Sequence, residues 1–383
     1  MKKIEYILKH NIFMQKIYII VFSYIFRFLS IFIKVDKKLI LFQSLIGKNY
    51  GDSPRQIFEK LKEDEYFKDY KYVWAFANPD QFEVSGASKV KINSLKYFIT
   101  SLKAGIWITN VNIERGLKYK QKDTLYLNTW HGVTLKFLGN AQKNRRDYNY
   151  SDVDIMISPC EYFDNILIND FKVKKDSIIR CGLPRNEELY DIEKNEIEAL
   201  RKKYNIPKNK KVILYAPTWR DSNNYGNSYS ISPPIDIDKL KKSLSSKYVL
   251  LFRMHHLTTN QIGLEFDDDV RDVSGKEFNI NELMKLSDIL ISDYSGTIFD
   301  YSILEKPIVL FAYDYQEYKD SRGLYLDLDE FLPNCVVKNQ QELLNYILNI
   351  DYEKECKKVK KIKKTYMNNN GDSTELCIKL LKK

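Results

Sequence analysis

Short apolar runs alternate with amphipathic stretches along this chain from residue 36 onward. Runs rich in Ile, Val, Leu and aromatic residues are typical of buried strands, whereas apolar residues at three- and four-residue intervals indicate helices. Strands separated by helices predict a mostly parallel sheet, because parallel strands need a crossover between them. In the first half the pattern predicts strands at 38–45, 72–77, 106–111, 124–130, 154–159 and 177–181, and helices at 53–67 (capped by Ser53), 95–103 and 161–171.

The alternation stops at Gly-Leu-Pro-Arg-Asn, residues 182–186, and restarts after a predicted helix at 187–204. A chain of 383 residues is too long for one ordinary core. Two successive patterns therefore predict an α/β fold of two Rossmann-like domains facing a central cleft, at residues 36–190 and 191–352. The polar segment 221–234 is long enough to act as a mobile lid. The second half predicts strands at 211–215, 248–253, 289–292 and 308–312, and helices at 239–245, 280–287 and 340–350.

Within the N-terminal segment 1–35, the stretch from Ile12 to Ile33 is strongly apolar, but Lys16 and Arg27 interrupt it. Its longest uncharged run, 17–26, is shorter than the roughly 20 residues that a spanning helix needs. No small-residue cleavage site follows, so a secretory signal is not expected. Lysines flank the segment on both sides, which predicts a membrane-associating helix lying in the lipid interface. A helix packed on the protein itself and a short true span are the alternatives.

The chain ends in a predicted basic helix at residues 353–383, which holds six lysines between positions 357 and 364. A solvated helix face is one interpretation, and contact with a membrane or an anionic polymer is the other.

The net charge of +10 favours an anionic partner, which is nucleic acid, an anionic membrane or a phosphorylated substrate. Part of this excess reflects a composition rich in Lys throughout. A hydrophobic content of 44% with 29% charged residues argues against general disorder. The five cysteines are widely spaced and form no C-x-x-C pair, so we expect neither a disulfide framework nor a zinc site, and a reducing cytosol is the natural compartment.

A strand-then-helix motif, Ile-Ser-Asp-Tyr-Ser-Gly-Thr at 291–297, has the form that holds a phosphate. We expect free amides at Ser295, Gly296 and Thr297, where the helix start favours an anion. A simple helix cap is the alternative. Asp300, about one turn later, is predicted to reach a ribose hydroxyl.

Two further strand ends and one loop carry candidate anion ligands. Arg253 and His255 alternate along a strand, so both side chains can face one anion, although a structural histidine is the alternative. The other predicted substrate ligands, which suit phosphate because they supply hydroxyl or guanidinium groups, are Thr218, Arg220 and Arg322.

His131 follows the strand at 124–130 in the first half of the chain. Histidine titrates near neutral pH and serves well as a general base, here toward an acceptor hydroxyl. We expect an Asp or Glu to orient it, and Lys136 on a following helix to add positive charge. Ligands of open α/β sheets bind at the carboxyl ends of strands, and His131, Thr218, His255 and Ser295 are all predicted to lie just past such ends.

These motifs together resemble the CDP-glycerol glycerophosphotransferase family, the primases and polymerases of teichoic acid and related capsule polymers. The matching stretches keep the family's order from 129 to 327. They are T-W-H-G-V-T-L-K (129–136), G-L-P-R-N (182–186), Y-A-P-T-W-R (215–220), R-M-H (253–255), S-D-I-L-I-S-D-Y-S-G-T-I-F-D-Y (287–301) and F-A-Y-D-Y-Q-E-Y-K-D-S-R-G-L-Y-L-D (311–327).

The resemblance implies a GT-B fold with an N-terminal acceptor domain and a C-terminal nucleotide domain. It implies displacement at the β-phosphate of CDP-glycerol or CDP-ribitol without metal or cofactor, with CMP leaving. His131 and His255 become the catalytic residues, His131 as the base, and Ser295, Gly296 and Thr297 join His255 at the pyrophosphate.

The acceptor implied is a lipid-linked saccharide or a polyol-phosphate polymer, and the location is the cytoplasmic face of the cell membrane, peripherally bound. The length is closer to that of a primase or stand-alone transferase than to the longer polymerases. The chain departs from the family at Gly296, where a second serine is common, and at Val133-Thr134, where Thr-Pro is common.

Two other classes of protein compete with this interpretation. A GT-B sugar transferase or a UDP-sugar 2-epimerase would also hold a nucleotide in the C-terminal domain. A basic membrane- or nucleic-acid-binding protein explains the charge but not the histidine motifs, and no nucleic-acid module is recognisable.

Overall fold

The computed structural model of this chain describes residues 12–114, 116–143, 149–218, 234–253, 266–275 and 277–382. Its strands are β1 Asp36–Gln43, β2 Lys71–Phe76, β3 Ser88–Lys91, β4 Ala104–Thr109, β5 Leu125–Asn128, β6 Ile155–Ser158, β7 Ile178–Arg180, β8 Lys211–Tyr215, β9 Tyr248–Phe252, β10 Val270–Asp272, β11 Ile289–Ser292, β12 Ile308–Phe311 and β13 Val336–Val337. Every predicted strand is present, with ends shifted by at most two residues.

The helices alternate with the strands as predicted. They are α1 Ile12–Phe32, α2 Asp52–Glu63, α3 Leu95–Lys103, α4 Glu161–Phe171, α5 Lys194–Lys203, α6 Ile237–Leu244, α7 Ile280–Leu286, α8 Thr297–Ser302, α9 Tyr315–Arg322, α10 Leu328–Phe331, α11 Gln340–Leu348, α12 Tyr352–Tyr366 and α13 Ser373–Leu381.

The chain folds as two compact units that are not contiguous in sequence. Unit 1 comprises Met1–His131, Asn144–Arg185 and Asp372–Lys383, and unit 2 comprises Gly132–Lys143 and Asn186–Gly371. The predicted single boundary at 190/191 therefore lies close to one crossing of the chain, at 185/186, but misses the others. The predicted lid at 221–234 lies outside the described residues except for its last position.

Unit 1 contains a seven-stranded sheet in the order β3-β2-β1-β4-β5-β6-β7. All neighbouring strands run parallel. Every residue of the central strand β4 is buried, as expected when helices cover both faces of a parallel sheet. The strand that sequence reasoning missed, β3, lies at the sheet edge, where its Ser-Lys-Val-Lys sequence needs only Val90 inside.

Unit 2 contains a six-stranded parallel sheet in the order β10-β9-β8-β11-β12-β13. Its core is built from alternating strand residues such as Ile213, Leu250, Ile291 and Val309, with leucines of α6 and α11 packed against them. The two strands that were missed, β10 and β13, are again short strands at the two edges of the sheet.

Three predicted helical features are wrong, each for a tertiary reason. Gly51, not Ser53, precedes α2, and the Ser53 hydroxyl instead accepts the amide of Arg185. The helix predicted at 187–204 is broken before α5, where the Tyr190 hydroxyl donates to the Met367 carbonyl. The basic helix predicted at 353–383 is two helices, because Gly371 with a φ of 79° interrupts it.

Helix α1 contacts unit 1 along one side only. Phe26, which is 5% exposed, packs on the rings of Phe98 and Tyr119. Most other apolar side chains of the helix are exposed, and Phe28 is 62% exposed. None of the described helices combines the length and the apolar character needed to cross a membrane.

Helix α1 contacts a loop whose backbone conformation is stabilised by the buried carboxylate of Glu114. Oε1 of Glu114 accepts the amides of Tyr119, at 2.7 Å, and Lys120, at 2.8 Å. The amide of Lys118 in the same loop donates to the Ser23 hydroxyl of α1. Burial raises the pKa of Glu114 to about 7.

We predict that Glu114→Gln removes a pH-dependent loss of stability. The variant keeps an oxygen for the two amides but does not ionise. The folded-state pKa of Glu114 is about 7, against about 4.3 for an exposed glutamate. The folded protein therefore binds more protons than the unfolded chain between these values, and its free energy of unfolding falls as pH rises through them.

Melting temperatures of the wild type and the variant test this prediction. The variant is expected to match the wild type near pH 4 and to melt progressively higher than the wild type as the pH is raised to 8. A difference that does not change with pH would contradict the role given to Glu114.

Candidate active site

The strand order of unit 1 reverses between β1 and β4. The chain runs outward from β1 to β2 and β3, then returns to the other side of β1 with β4. The loops after β1 and β4 consequently part at this point, which is where open α/β sheets bind ligands. His131 follows β5, the strand next to β4, and therefore lies at this edge of the sheet as predicted.

A main-chain carbonyl orients His131. Its Nδ1 lies 2.8 Å from the carbonyl oxygen of Asn110, and its half-buried ring stacks on Trp130 with 4.1 Å between ring centroids. At Nδ1 the orienting group is therefore the backbone just after β4, and the expected role of an Asp or Glu stays a prediction. A carbonyl accepts a proton from Nδ1, so this contact favours the tautomer with a lone pair on Nε2.

Asn110 is the functional candidate that sequence reasoning missed. Its buried side chain accepts the amide of Leu45 at 2.8 Å and donates to the Ser44 hydroxyl at 3.3 Å. One residue therefore connects the ends of β1 and β4 with His131. A polar asparagine near the carboxyl end of the apolar strand predicted at 106–111 is the signal that points to it.

The residue before His131 has a strained backbone. Trp130 has a φ of 49°, in the left-handed region that side chains other than glycine rarely adopt. The side chain of Asn128 fixes this conformation, since Oδ1 accepts the Trp130 amide and Nδ2 donates to the carbonyl of Val111, both at 2.8 Å. Strained residues held in this way are concentrated at functional sites.

Unit 2 has its own reversal of strand order, between β8 and β11. Side chains join the two strand ends. Asp293 accepts the amide of Thr218 at 2.7 Å, and the Ser292 hydroxyl donates to the carbonyl of Ala216 at 2.7 Å. The predicted ligand Thr218 therefore lies beside the strand-to-helix motif.

The motif at 295–297 forms the predicted turn between β11 and α8. The hydroxyl oxygens of Ser295 and Thr297 are 3.0 Å apart, and all three residues are half-buried. One expectation is wrong, because the Thr297 amide donates to the Ser295 hydroxyl at 3.3 Å and is not a free donor.

Asp300, the residue predicted to reach a ribose hydroxyl, is buried. Its carboxylate is 5% exposed and accepts Nδ2 of Asn186 at 2.7 Å. The preceding residue, Arg185, belongs to unit 1, where its guanidinium lies 3.4 Å from Asp52. The Gly-Leu-Pro-Arg-Asn motif thus fastens the chain to unit 1 by one residue and to unit 2 by the next.

Arg253 is anchored to backbone carbonyls. Its Nη1 donates to Val273 at 2.9 Å and to Phe278 at 3.1 Å, and burial lowers the pKa of the guanidinium. Part of its donor capacity therefore shapes the loop after β10, and its contact with an anion stays a prediction. Two other predicted ligands, Arg220 and His255, lie outside the described residues.

The segment after His131 belongs to unit 2 and is not helical, so the placement of Lys136 on a helix is wrong. Lys136 forms an antiparallel bridge with Leu324. The amide of Phe137 donates to the Gly323 carbonyl, and that of Tyr325 to the Leu135 carbonyl. This pairing brings Lys136 next to the loop that follows Arg322, the last residue of α9.

The segment after His131 also contacts the turn at 295–297, which is called the phosphate-type turn below. A Cβ added to Gly296 would lie 2.4 Å from the carbonyl oxygen of Val133. Gly296 and Val133 are two of the positions at which the chain departs from the family pattern. The departures are therefore in contact, and the close approach of Val133 depends on the absence of a side chain at 296.

Two parallel α/β units, each with a polar motif at its strand reversal, place the chain among the two-domain α/β proteins that bind ligands at such reversals. The comparisons with known proteins are specific. The family model described as CDP-glycerol:poly(glycerophosphate) glycerophosphotransferase matches residues 25–381. A solved structure of the wall teichoic acid polymerase TagF covers 91% of this chain and 89% of that chain, with a TM-score of 0.82 and 35% identity.

Two curated relatives agree with that match. The teichoic acid poly(glycerol phosphate) polymerase of Staphylococcus epidermidis is 38% identical over 336 residues, covering 83% of this chain and 46% of the polymerase. The teichoic acid glycerol-phosphate transferase of Staphylococcus aureus is 36% identical over 336 residues, covering 82% of this chain and 85% of the transferase. The matched region thus spans about half of the first relative and most of the second.

The chain belongs to the CDP-glycerol:poly(glycerophosphate) glycerophosphotransferase family.

We predict that Gly296→Ser destabilises unit 2, because the new Cβ meets a backbone oxygen that has no rotamer to change. Overpacking of this kind costs about 1–3 kcal/mol. Gly275→Ser is the matched control, since the nearest neighbours of its Cβ belong to the movable Glu277 carboxylate. Thermal unfolding of both variants measures the effect. Equal melting temperatures for the two variants would show that the Val133 contact does not constrain position 296.

Proposed function

We propose that this chain transfers glycerol phosphate from CDP-glycerol to a hydroxyl group of a lipid-linked saccharide or polyol-phosphate polymer, releasing CMP, in teichoic acid or capsular polymer synthesis. The observation that supports it best is the tethering of His131 by Asn110 at the strand reversal of unit 1. Unit 2 carries the phosphate-type motif at its own reversal, and membership of the family gives the reaction.

In the proposed step the acceptor hydroxyl oxygen attacks the β-phosphorus of the donor. A new oxygen–phosphorus bond forms, and the bond from that phosphorus to the oxygen shared with the α-phosphate breaks. CMP leaves with the electron pair, and Nε2 of His131 takes the hydroxyl proton. The Asn110 carbonyl favours the tautomer needed for this role because it holds the other ring nitrogen.

The donor is assigned to unit 2. Hydroxyls of Ser295 and Thr297, with the space left by Gly296, suit the pyrophosphate, and preorganised donors of this kind stabilise charge that builds up on phosphate oxygens. The remaining residues are assigned from their positions in the family motifs. His255 is assigned as a catalytic residue. The residues assigned as substrate ligands are Arg253, Thr218, Arg220, Asp300, Arg322 and Lys136. The GT-B arrangement with a cleft between the units belongs to this proposal.

The nearest alternative is the same chemistry with CDP-ribitol. Names of the two relatives described above refer to glycerol phosphate, which favours CDP-glycerol. A GT-B sugar transferase or UDP-sugar epimerase is a more distant alternative, because the family model and the curated relatives described above are all named for glycerol phosphate.

We further propose that α1 attaches the protein peripherally to the cytoplasmic face of the membrane. Its exposed residues Ile17, Ile20, Tyr24, Phe28 and Ile31 recur at three- and four-residue intervals and therefore share one face. Exposed lysines at 34, 37 and 38 follow the helix and complement anionic headgroups.

The reaction is tested by CMP release from CDP-glycerol with a lipid-linked acceptor. We expect wild-type turnover that survives EDTA. Replacing His131 with Ala is expected to abolish turnover because the proton acceptor is lost, while calorimetric affinity for CDP-glycerol stays nearly unchanged because the donor is held by unit 2. A large loss of affinity for CDP-glycerol, together with residual turnover, would contradict the assignment of His131 as the base.

CDP-ribitol in a parallel reaction identifies the donor. Turnover with CDP-ribitol alone would replace the glycerol assignment by the ribitol one. If neither donor gives CMP release, and the melting curve shows that the protein is folded, the result would count against a polyol-phosphate transferase.

Membrane attachment is tested by sedimentation with phosphatidylglycerol-containing vesicles. The variant Phe28→Ser/Ile31→Ser/Phe32→Ser removes side chains that are 62%, 74% and 71% exposed, so vesicle binding should be lost while folding is kept. The control, Tyr66→Ser/Leu95→Ser/Leu348→Ser, removes exposed apolar side chains elsewhere. Equal loss in both variants, or none in either, would refute the role of α1.

A further inference from the structure

Helix α12 presents a continuous face of lysines, here called the lysine face: Lys354, Lys357, Lys360, Lys361 and Lys364. All five side chains are exposed, and at 100° per residue they fall within an arc of about 120°. The opposite side of the helix buries Val359 and Ile362 against unit 2. The orientation of the lysines is therefore fixed by packing.

The positive charge of this face is largely uncompensated. Glu305 pairs with Lys363 at 2.9 Å and lies 3.7 Å from Lys360. Among the residues that the structure describes, no ion pair involves Lys357, Lys361 or Lys364. The helix has no acidic residue after Glu355, whose buried carboxylate pairs with Lys358 at 2.8 Å.

The lysine face is packed against the same part of unit 2 that carries the motif at 295–297, to which we assign the donor. The ring of Tyr366 in α12 packs on Phe299 of α8 with 5.2 Å between centroids, and the Glu305 pairs join α12 to the residues just after α8. Helix α8 begins at Thr297. A ligand on the lysine face would thus be held by the unit to which we assign the donor.

We propose that the lysine face binds the polyanionic polyol-phosphate chain, as a holding surface for the polymer outside the reacting centre. This inference rests on the proposed function, which supplies a polymer with one negative charge per repeat. Consecutive phosphorus atoms of a glycerol phosphate chain are six single bonds apart, about 7 Å when extended. Lys357, Lys361 and Lys364 follow one another at rises of about 6 and 4.5 Å, which their flexible side chains adjust to that repeat.

A polymer fits the lysine face better than a membrane does. Helices that lie in a lipid interface insert apolar side chains as well as presenting charge. The apolar residues of α12 are used against unit 2, and none of the large exposed apolar side chains of the described residues belongs to this helix. The lysine face is therefore purely electrostatic, which suits a soluble polyanion.

The test compares Lys357→Gln/Lys361→Gln/Lys364→Gln with the wild type in binding to end-labelled poly(glycerol phosphate), a dimer and a long oligomer, followed by fluorescence anisotropy. Affinity for the long oligomer should fall about tenfold, since exposed ion pairs are each worth a fraction of a decade. Affinity for the dimer should fall much less, because its two phosphates reach at most two of the three lysines. The corresponding Lys→Arg variant keeps the charge and should bind like the wild type.

The matched control is Lys122→Gln/Lys175→Gln/Lys202→Gln, which removes the same charge from scattered exposed sites. It should retain wild-type binding, and an equal loss there would reduce the effect to net charge and overturn the proposal. Unchanged long-oligomer binding in the α12 variant would also overturn it. So would a loss confined to anionic vesicles, which would assign the lysine face to the membrane.

CMP release separates this inference from the proposed function. With the long oligomer as acceptor, the α12 variant should show a raised KM and an unchanged kcat, and with the dimer kcat should again be unchanged and KM should rise much less. Absence of CMP release from the wild type would overturn the proposed function, whereas polymer binding that still depends on α12 would support the lysine face.

Discussion

Parallel strands place all their carboxyl ends at one edge of a sheet, and only where the strand order reverses do the loops separate enough to admit a ligand. Each unit of this protein has one such reversal, between β1 and β4 and between β8 and β11. The chemistry depends on this constraint. His131 lies beside the first reversal and Ser295-Gly296-Thr297 at the second, so the proposed base belongs to one sheet and the proposed phosphate-binding turn to the other.

The geometry around His131 shows how the edge of a parallel sheet fixes the orientation of a histidine ring through the main chain. The main chain after β4 provides the acceptor, and the side chain of Asn110 fixes that main chain to the end of β1. The cost is a left-handed Trp130, which Asn128 holds in place. Because the acceptor at Nδ1 is a main-chain oxygen, the orientation of the His131 ring depends on the integrity of the sheet edge.

Hydrophobic pattern alone predicts the buried strands, because a strand covered on both faces is a nearly continuous apolar run, as in β4. The hydrophobic pattern does not predict edge strands such as β3 and β13, because few of their side chains are buried. In the site, the motifs predict which residues gather at the strand ends. They do not predict that the Asn110 carbonyl contacts His131 or that Lys136 pairs with Leu324, since each depends on contacts between segments distant in sequence.

The most direct test of the account uses CDP-glycerol labelled at the β-phosphorus. Displacement at that atom transfers the label to the acceptor and releases unlabelled CMP, and this is the predicted result. Label that leaves with the nucleotide as CDP would mean that the bond to glycerol carbon is broken instead. That outcome would contradict phosphoryl transfer and, with it, the roles assigned to His131 and to the Ser295-Gly296-Thr297 turn.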